Sequence, residues 1–261
     1  MMKKIYPLFF ALFISISFYS AHAEAKIIFE GYYKVTQFKK HIGFLILRHE
    51  LDDKSNNFRT TVFTKLGKEG FDMTESYKAE STTDLAPVSL SYLAVEKKKT
   101  KTIEAKIKDL RMTGTVVESG KKIKLDTKIP KGSFFSSALY YLMLQSKDGL
   151  KQGSKFDYIA VSEEGPVAMN GTVNVEAQLV SVGTQQVLKI NNLYAGSNYD
   201  NLVTLKGEVV STDAPGSQIE SQLVQDPADA IAGIKISKGS LEKIFGQVPE
   251  GKTNHLHAKS K

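Results

Sequence analysis

Apolar and polar residues alternate along most of this chain, and that pattern constrains the fold more than anything else in the sequence. A period of two puts successive side chains on opposite faces of a strand, so a run of such segments builds a sheet with one face that must be covered. Ala25 to Phe38 opens the pattern, with Ile27, Phe29, Tyr33 and Val35 on one face. Gly43 to Leu51, Phe58 to Leu66, Phe71 to Glu80 and Val88 to Glu96 follow. They are separated by the turn clusters 52–57 and 67–70 and by Thr83-Asp84-Leu85-Ala86-Pro87. Thr100 to Lys108 sets Ile103, Ala105 and Ile107 against Thr102, Glu104, Lys106 and Lys108. Arg111 to Val117 then turns at Ser119-Gly120 into Lys122 to Lys128, and a Ser-Gly pair between alternating runs reads as a hairpin. Each of these last strands has one apolar face, which predicts a sheet with one wet side and one covered side. Beyond residue 153 strands are expected at Lys155 to Ser162, Val167 to Val182, Gln186 to Leu193, Leu202 to Ser211 and Gln218 to Val224.

The period changes once in the middle. Ser133 to Ser146 carries no charge and is rich in aromatics, which predicts a helix started by Gly132 or Ser133 and stopped at Asp148-Gly149. A helix that is apolar nearly all round must be buried on most sides. The economical place for it is the covered face of a curved sheet. Asp226-Pro227 predicts a short helix to Ile234, with Asp226 as cap and Pro227 at the first helical position. A second short helix is expected from Ser240 to Phe245, and the polar, basic tail after Pro249 reads as disordered.

The amino terminus adds an address. Met1-Met2-Lys3-Lys4 is basic, Ile5 to Tyr19 is almost wholly apolar, and Ala21-His22-Ala23 has the small-x-small pattern of a signal-peptidase site. The stretch is short for a membrane span, which needs roughly 20 apolar residues. Residues 1–23 are therefore expected to be a cleaved signal peptide, leaving no transmembrane anchor. The chain has no cysteine. That excludes disulfides, thiol chemistry and a lipid-modified terminal cysteine, and fits the periplasm of a Gram-negative bacterium better than a disulfide-stapled extracellular domain. The expected layout is a curved β domain over 24–225, a helical extension over 226–248 and a tail over 249–261.

The formal net charge is +7, and from Lys97 to Lys131 there are twelve Lys or Arg against four acids. Such a run suits an acidic protein or polymer, through Lys97, Lys98, Lys99, Lys101, Lys121, Lys122 and Lys124. It also suits plain solubility, because lysines on exposed strands discourage edge pairing. No aromatics interleave with the lysines, so nucleic acid is not an expected partner.

Catalytic and metal motifs give little. No Gly-x-Ser-x-Gly elbow is present, and Ser119 to Lys122 matches Ser-x-x-Lys only on the predicted hairpin. His49-Glu50 has no second histidine four residues on, and His255-Leu256-His257 lies in the tail. Asp52-Asp53 and Glu163-Glu164 sit in turn-like segments, where solvated carboxylates are the default. No cofactor and no metal is expected. What remains is the charge-free helix. Phe134, Phe135, Leu139, Tyr140 and Tyr141 either complete a closed core or line an apolar cleft for a hydrophobic ligand, with tyrosine hydroxyls at its rim.

The order of elements resembles an exported bacterial family, the domain of unknown function DUF3108. The resemblance rests on several short segments. Gly31-Tyr32-Tyr33-Lys34-Val35 and His41-Ile42-Gly43-Phe44 match its first two strands, and Leu85-Ala86-Pro87 its Leu-x-Pro point. Ser133 to Ser146 with Leu150-Lys151-Gln152-Gly153 is similar to its helix and the strand after it. Val175-Glu176-Ala177 to Gly183, then Val187-Leu188-Lys189-Ile190, is similar to its late hairpin. The likeness spans about Phe29 to Val224; the family's late tryptophan is missing, since this chain has none. The resemblance implies a strongly curved antiparallel sheet, in outline like periplasmic lipoprotein carriers, and no catalytic residues.

The expected fold is thus mainly β: a strongly curved antiparallel sheet, or an open or partly closed β-barrel, packed on one apolar helix, with short C-terminal helices. The leading functional expectation is a periplasmic, non-enzymatic protein that binds a lipid or another amphiphilic envelope component. The alternatives are a surface-acting interaction protein and, third, an unfamiliar hydrolase.

Overall fold

The structure, a computed structural model, describes residues 25–52, 55–147 and 149–257; the signal-peptide expectation concerns residues outside these. Eight strands follow one another as an antiparallel meander: β1 (Lys26–Gln37), β2 (Lys40–Asp52), β3 (Asn57–Leu66), β4 (Met73–Thr82), β5 (Pro87–Glu96), β6 (Lys99–Lys108), β7 (Arg111–Glu118) and β8 (Lys121–Lys128). After a short crossing come β9 (Phe134–Phe135) and helix α1 (Leu139–Gln145). A second meander then runs through β10 (Lys155–Val161), β11 (Ala168–Val182), β12 (Gln185–Tyr194), β13 (Ser197–Thr204), β14 (Val209–Ala214) and β15 (Ile219–Leu223). Its last strand pairs antiparallel with β1, Tyr33 opposite Leu223 and Gln37 opposite Ile219. Among the described residues the two meanders thereby form one fifteen-stranded sheet, ordered from β8 down to β1 and then from β15 down to β9. The sheet is large and curled but not closed, as the alternation predicts.

The local reasons are ordinary strand chemistry. At the β7–β8 turn Ser119 and Gly120 both take positive φ, 48° and 84°, the conformation of a two-residue hairpin whose twist matches its strands. The curl is held by contacts between strands far apart in the sheet. Phe135 and Val161, from β9 and β10 at one end of the order, share a core with Leu90, Ile103 and Met112 of β5 to β7. A second core gathers Leu139, Tyr140 and Met143 of α1 with Phe134, Val173, Leu188 and Val203. The helix therefore fills part of the inner side of the curl.

Four expectations need correction. The charge-free segment is not one helix from Ser133. Phe134 and Phe135 form a two-residue strand parallel to β10, Ser136–Ala138 is a 3₁₀ turn, and the α-helix begins at Leu139. The carbonyl and amide groups of an unsatisfied sheet edge offered the two phenylalanines a better partner than helix would. Leu202 to Ser211 is a hairpin rather than one strand. Thr204 N–H bonds the carbonyl of Glu208 at 2.8 Å, and Gly207 supplies a φ of 80°.

The third correction concerns the wet side. β1 to β3 are covered on both faces, because their outward residues Tyr32, Phe44, Ile46 and Phe63 pack under Ala230, Leu241 and Phe245. These belong to α2 (Pro227–Ile231), capped by Asp226 on the N–H of Ala228 at 2.8 Å, and α3 (Lys238–Phe245). The fourth concerns the tail, whose polar composition reads as disordered. Residues 249–256 instead lie against β1 and its neighbours. Glu30 accepts from the N–H groups of Glu250 and Gly251, both at 2.6 Å. Tyr32 donates to the Pro249 carbonyl at 3.0 Å, and Asn254 is buried.

Candidate functional site

The inner side of the curl keeps an open cleft of about 530 Å³. Its apolar wall comes from Leu45 and Leu47 of β2, Val62 of β3, Leu139 and Tyr140 of α1 and Val209 of β14. These residues are there because alternation turns odd positions of β2 and even positions of β3 inward: Leu47 stands directly opposite Val62. Gly171 helps shape the β11 side. A Cβ there would meet the ring of Tyr158 at 2.2 Å, so the glycine lets that ring lie flat on the strand. The Tyr158 hydroxyl then reaches Asn192 Oδ1 at 2.7 Å.

The other end of the cleft is polar. Ser136, Ser137, Glu163 and Glu164 line it. Glu163 is only 4% exposed, so the solvated-turn expectation is corrected for this residue, while Glu164 beside it is exposed. A buried carboxylate requires donors, and the 3₁₀ turn supplies them. Ser136 Oγ donates to Glu163 Oε2 at 2.5 Å; Ser137 Oγ and the Ser137 N–H donate to Oε1 at 2.6 and 3.0 Å. Burial pushes the Glu163 carboxyl up, and these three bonds oppose the shift. On β4, Glu75 is pushed up to about 8, first by burial and then by the charges of Glu164 and Glu163, against the opposing field of Lys101. Chemically, Glu163 behaves as a cap on the turn. It uses both serine hydroxyls and the Ser137 amide, groups that a serine nucleophile and its oxyanion site would need free.

The structure distributes the residues singled out from sequence. Leu139 and Tyr140 line the cleft. Phe134 packs on Tyr158, ring centroids 5.6 Å apart, and Phe135 is buried in the β5–β7 core, so both are core residues rather than cleft wall. Tyr141 turns toward β2 and β3, its ring edge-on to His49 at 4.8 Å and 5.3 Å from Phe58. Burial among these rings pushes His49 down to about 3, and its Nδ1 lies 2.9 Å from Thr60 Oγ1.

The seven lysines do not share one face. Lys97 and Lys98 sit at the β5–β6 turn. Lys99, Lys101 and Lys121 fall on the inward register of their strands, and Lys122 and Lys124 on the outward one. Glu163, Ser136, Ser137 and Tyr77 are the site residues that sequence reading passed over. The Glu163-Glu164 pair was visible as a pair; its burial follows from the β9–β10 pairing, which the sequence does not show.

A second groove, about 620 Å³, lies on the outer face of β3 to β6 beside α3. It combines Leu93 and Val95 with Lys65, Lys78, Lys235 and Lys243. Among the described residues no group of three or more His, Cys, Asp or Glu is placed to hold a metal. No helix among them is long and apolar enough to cross a membrane.

No known family profile matches this chain, and no curated protein matches it. Similarity appears in solved structures. A β-barrel-like protein of the domain of unknown function DUF1849 from Brucella abortus superposes with a TM-score of 0.53 at 15% identity. The match covers 77% of this chain and 98% of that one. A DUF1089 family protein from Pseudomonas aeruginosa gives a TM-score of 0.40 at 14% identity, over 69% of this chain and 92% of that one. The first establishes the β-barrel-like fold. Both carry family names other than DUF3108.

Proposed function

We propose that this chain is a non-enzymatic binding protein whose inner cleft takes an amphiphilic small molecule. The observation that carries the reading is the cleft itself. Its volume of about 530 Å³ falls on the ligand-pocket scale of roughly 300–1,000 Å³, and its lining is segregated. The apolar part of a ligand would lie along Leu45, Leu47, Val62 and Leu139. Its polar part would lie toward Ser136, Ser137 and Glu163. The signal-peptide pattern expected in residues 1–23 supports a ligand drawn from envelope components of the periplasm. The lysines at the β5–β8 ends leave a weaker alternative, an acidic surface partner; their division between two faces counts against one docking surface.

The test is to purify the protein from its native periplasm, extract it with organic solvent and identify what is released by mass spectrometry. An amphiphile near one equivalent is expected. Added back at a hundred times its Kd, it should stabilise the protein by about 2.7 kcal/mol. An empty extract together with no melting shift from any acyl amphiphile would sink the proposal.

A further inference from the structure

The charge inside the cleft is opposite to the charge of the chain. The protein carries 35 Lys and Arg against 28 Asp and Glu. Yet the residues lining the cleft include Glu163 and Glu164 and no Lys, Arg or His. Glu75 adds a third carboxylate beside them, close enough that their charges raise its proton affinity. Among the described residues none of the three forms an ion pair, and Glu75 and Glu164 make no hydrogen bond. Lys101, on the inward register of β6, is the cation whose field reaches Glu75; it stands beyond ion-pair distance. Above about pH 8, where Glu75 is ionised as well, three acids face one distant lysine and leave an uncompensated negative field at the polar end.

Two further features make this more than an acidic cluster. Tyr140 is 8% exposed and lines the cleft, and its hydroxyl has no hydrogen-bond partner among the described residues. That hydroxyl is not sealed in the core: it opens to the cleft, so it offers a guest one hydrogen bond. The aromatic faces matter too. Tyr77 and Tyr194 line the cleft where the charges of Glu163 and Glu164 act on them. Ring faces with carboxylates behind them favour an organic cation, above all a substituted ammonium. An anionic head would meet repulsion from Glu163 and Glu164, and from Glu75 above about pH 8, with the Tyr140 hydroxyl as its recompense.

We infer that the ligand's head group is cationic, an amine or quaternary ammonium seated among Glu75, Glu163, Glu164 and the tyrosines, with its apolar tail running toward α1. This inference rests on the reading of the cleft as an amphiphile site and adds the charge of the ligand. The test is calorimetric titration at pH 8.5 with three probes of equal chain length, each below its micellar concentration: decyltrimethylammonium, decyl sulfate and decanol. The cation should bind at least tenfold more tightly than decyl sulfate and more tightly than decanol. In the Glu75→Gln/Glu164→Gln double variant the preference for the cation over decanol should fall about tenfold. That variant removes no hydrogen bond; Glu163→Gln, which disturbs the 3₁₀ turn, serves as a second variant with the same expected direction. If all three probes bind alike, or the double variant keeps the full preference, the charge assignment is overturned and the cleft reading stands. If none binds, the cleft reading fails and this inference with it.

Discussion

Replacing Arg48 by Met tests whether the C-terminal segment is an integral part of the curled sheet's outer layer. Arg48 is 2% exposed on the outward face of β2, beneath α3. Its Nε donates to Glu30 Oε2 at 2.6 Å, Nη2 lies 2.5 Å from the same oxygen, and Nη1 donates to the Phe245 carbonyl at 2.7 Å. The guanidinium also sits 5.0 Å over the Phe245 ring. Methionine roughly fills the stem's volume but leaves Glu30 charged and buried, held by the Glu250 and Gly251 amides alone. Removing one partner of a buried pair costs about 3–5 kcal/mol, since the other charge is stranded. For a domain of this size about 1 kcal/mol moves Tm by roughly 2–4 °C, so the loss should be roughly 6–20 °C.

The assay is urea unfolding of Arg48→Met, Glu30→Gln and the double variant. Because Glu30→Gln removes the stranded charge, the double variant should recover much of the stability. The coupling between the two sites should reach about 2 kcal/mol, inside the range for residues in one network. A loss under about 1 kcal/mol for Arg48→Met, or additive losses, would refute the reasoning: the tail would then be an appendage. Loss of the Arg48–Glu30 pair should also reach the cleft, because the inner face of β1 to β3 is cleft wall.

Further expectations concern the cleft and its pH response. The folded pKa of Glu75 is raised, so its stability contribution is greatest below about pH 4.5 and is lost as pH rises toward about 8. Glu75→Gln should therefore stabilise the protein by about 1–3 kcal/mol at pH 8.5 and by little at pH 4, read from urea midpoints. His49 is held neutral, down to about 3, so the unfolded chain binds its proton first as pH falls below about 6.5. Acid unfolding between about pH 6.5 and 3 should be measurably shallower in His49→Leu; an unchanged profile would show that His49 is not the buried base. Gly171→Ala should displace the Tyr158 ring, break its bond to Asn192 and cost about 1–3 kcal/mol. Tyrosine NMR shifts identical to the native ones would contradict that.

Much of the sheet was legible because alternation is local. β6, expected from Thr100, begins at Lys99 and ends at Lys108 as read, and the Ser119-Gly120 turn has the φ values its residues favour. What was not legible depends on distant partners. The β1–β15 pairing joins residues some 180 positions apart, and no local signal announces it. Tyr32, Phe44 and Phe63 look like any strand residues; only the packing of α2 and α3 shows that their face is covered. Of the aromatic segment, Leu139 and Tyr140 line the cleft. Phe134 and Phe135 left the helix because a strand edge was available. Glu163 gave the opposite error, since a turn reads as wet until the serines that bury it are placed beside it.

The cleft claim is tested most directly by methyl NMR during titration with decyltrimethylammonium. Leu45, Leu47, Val62, Leu139 and Val209 report from the cleft wall, and Leu93 and Val95 from the outer groove. The cleft methyls should shift together with one saturating curve while Leu93 and Val95 stay in place. Shifts confined to Leu93 and Val95, or no shift at the cleft methyls, would contradict the account.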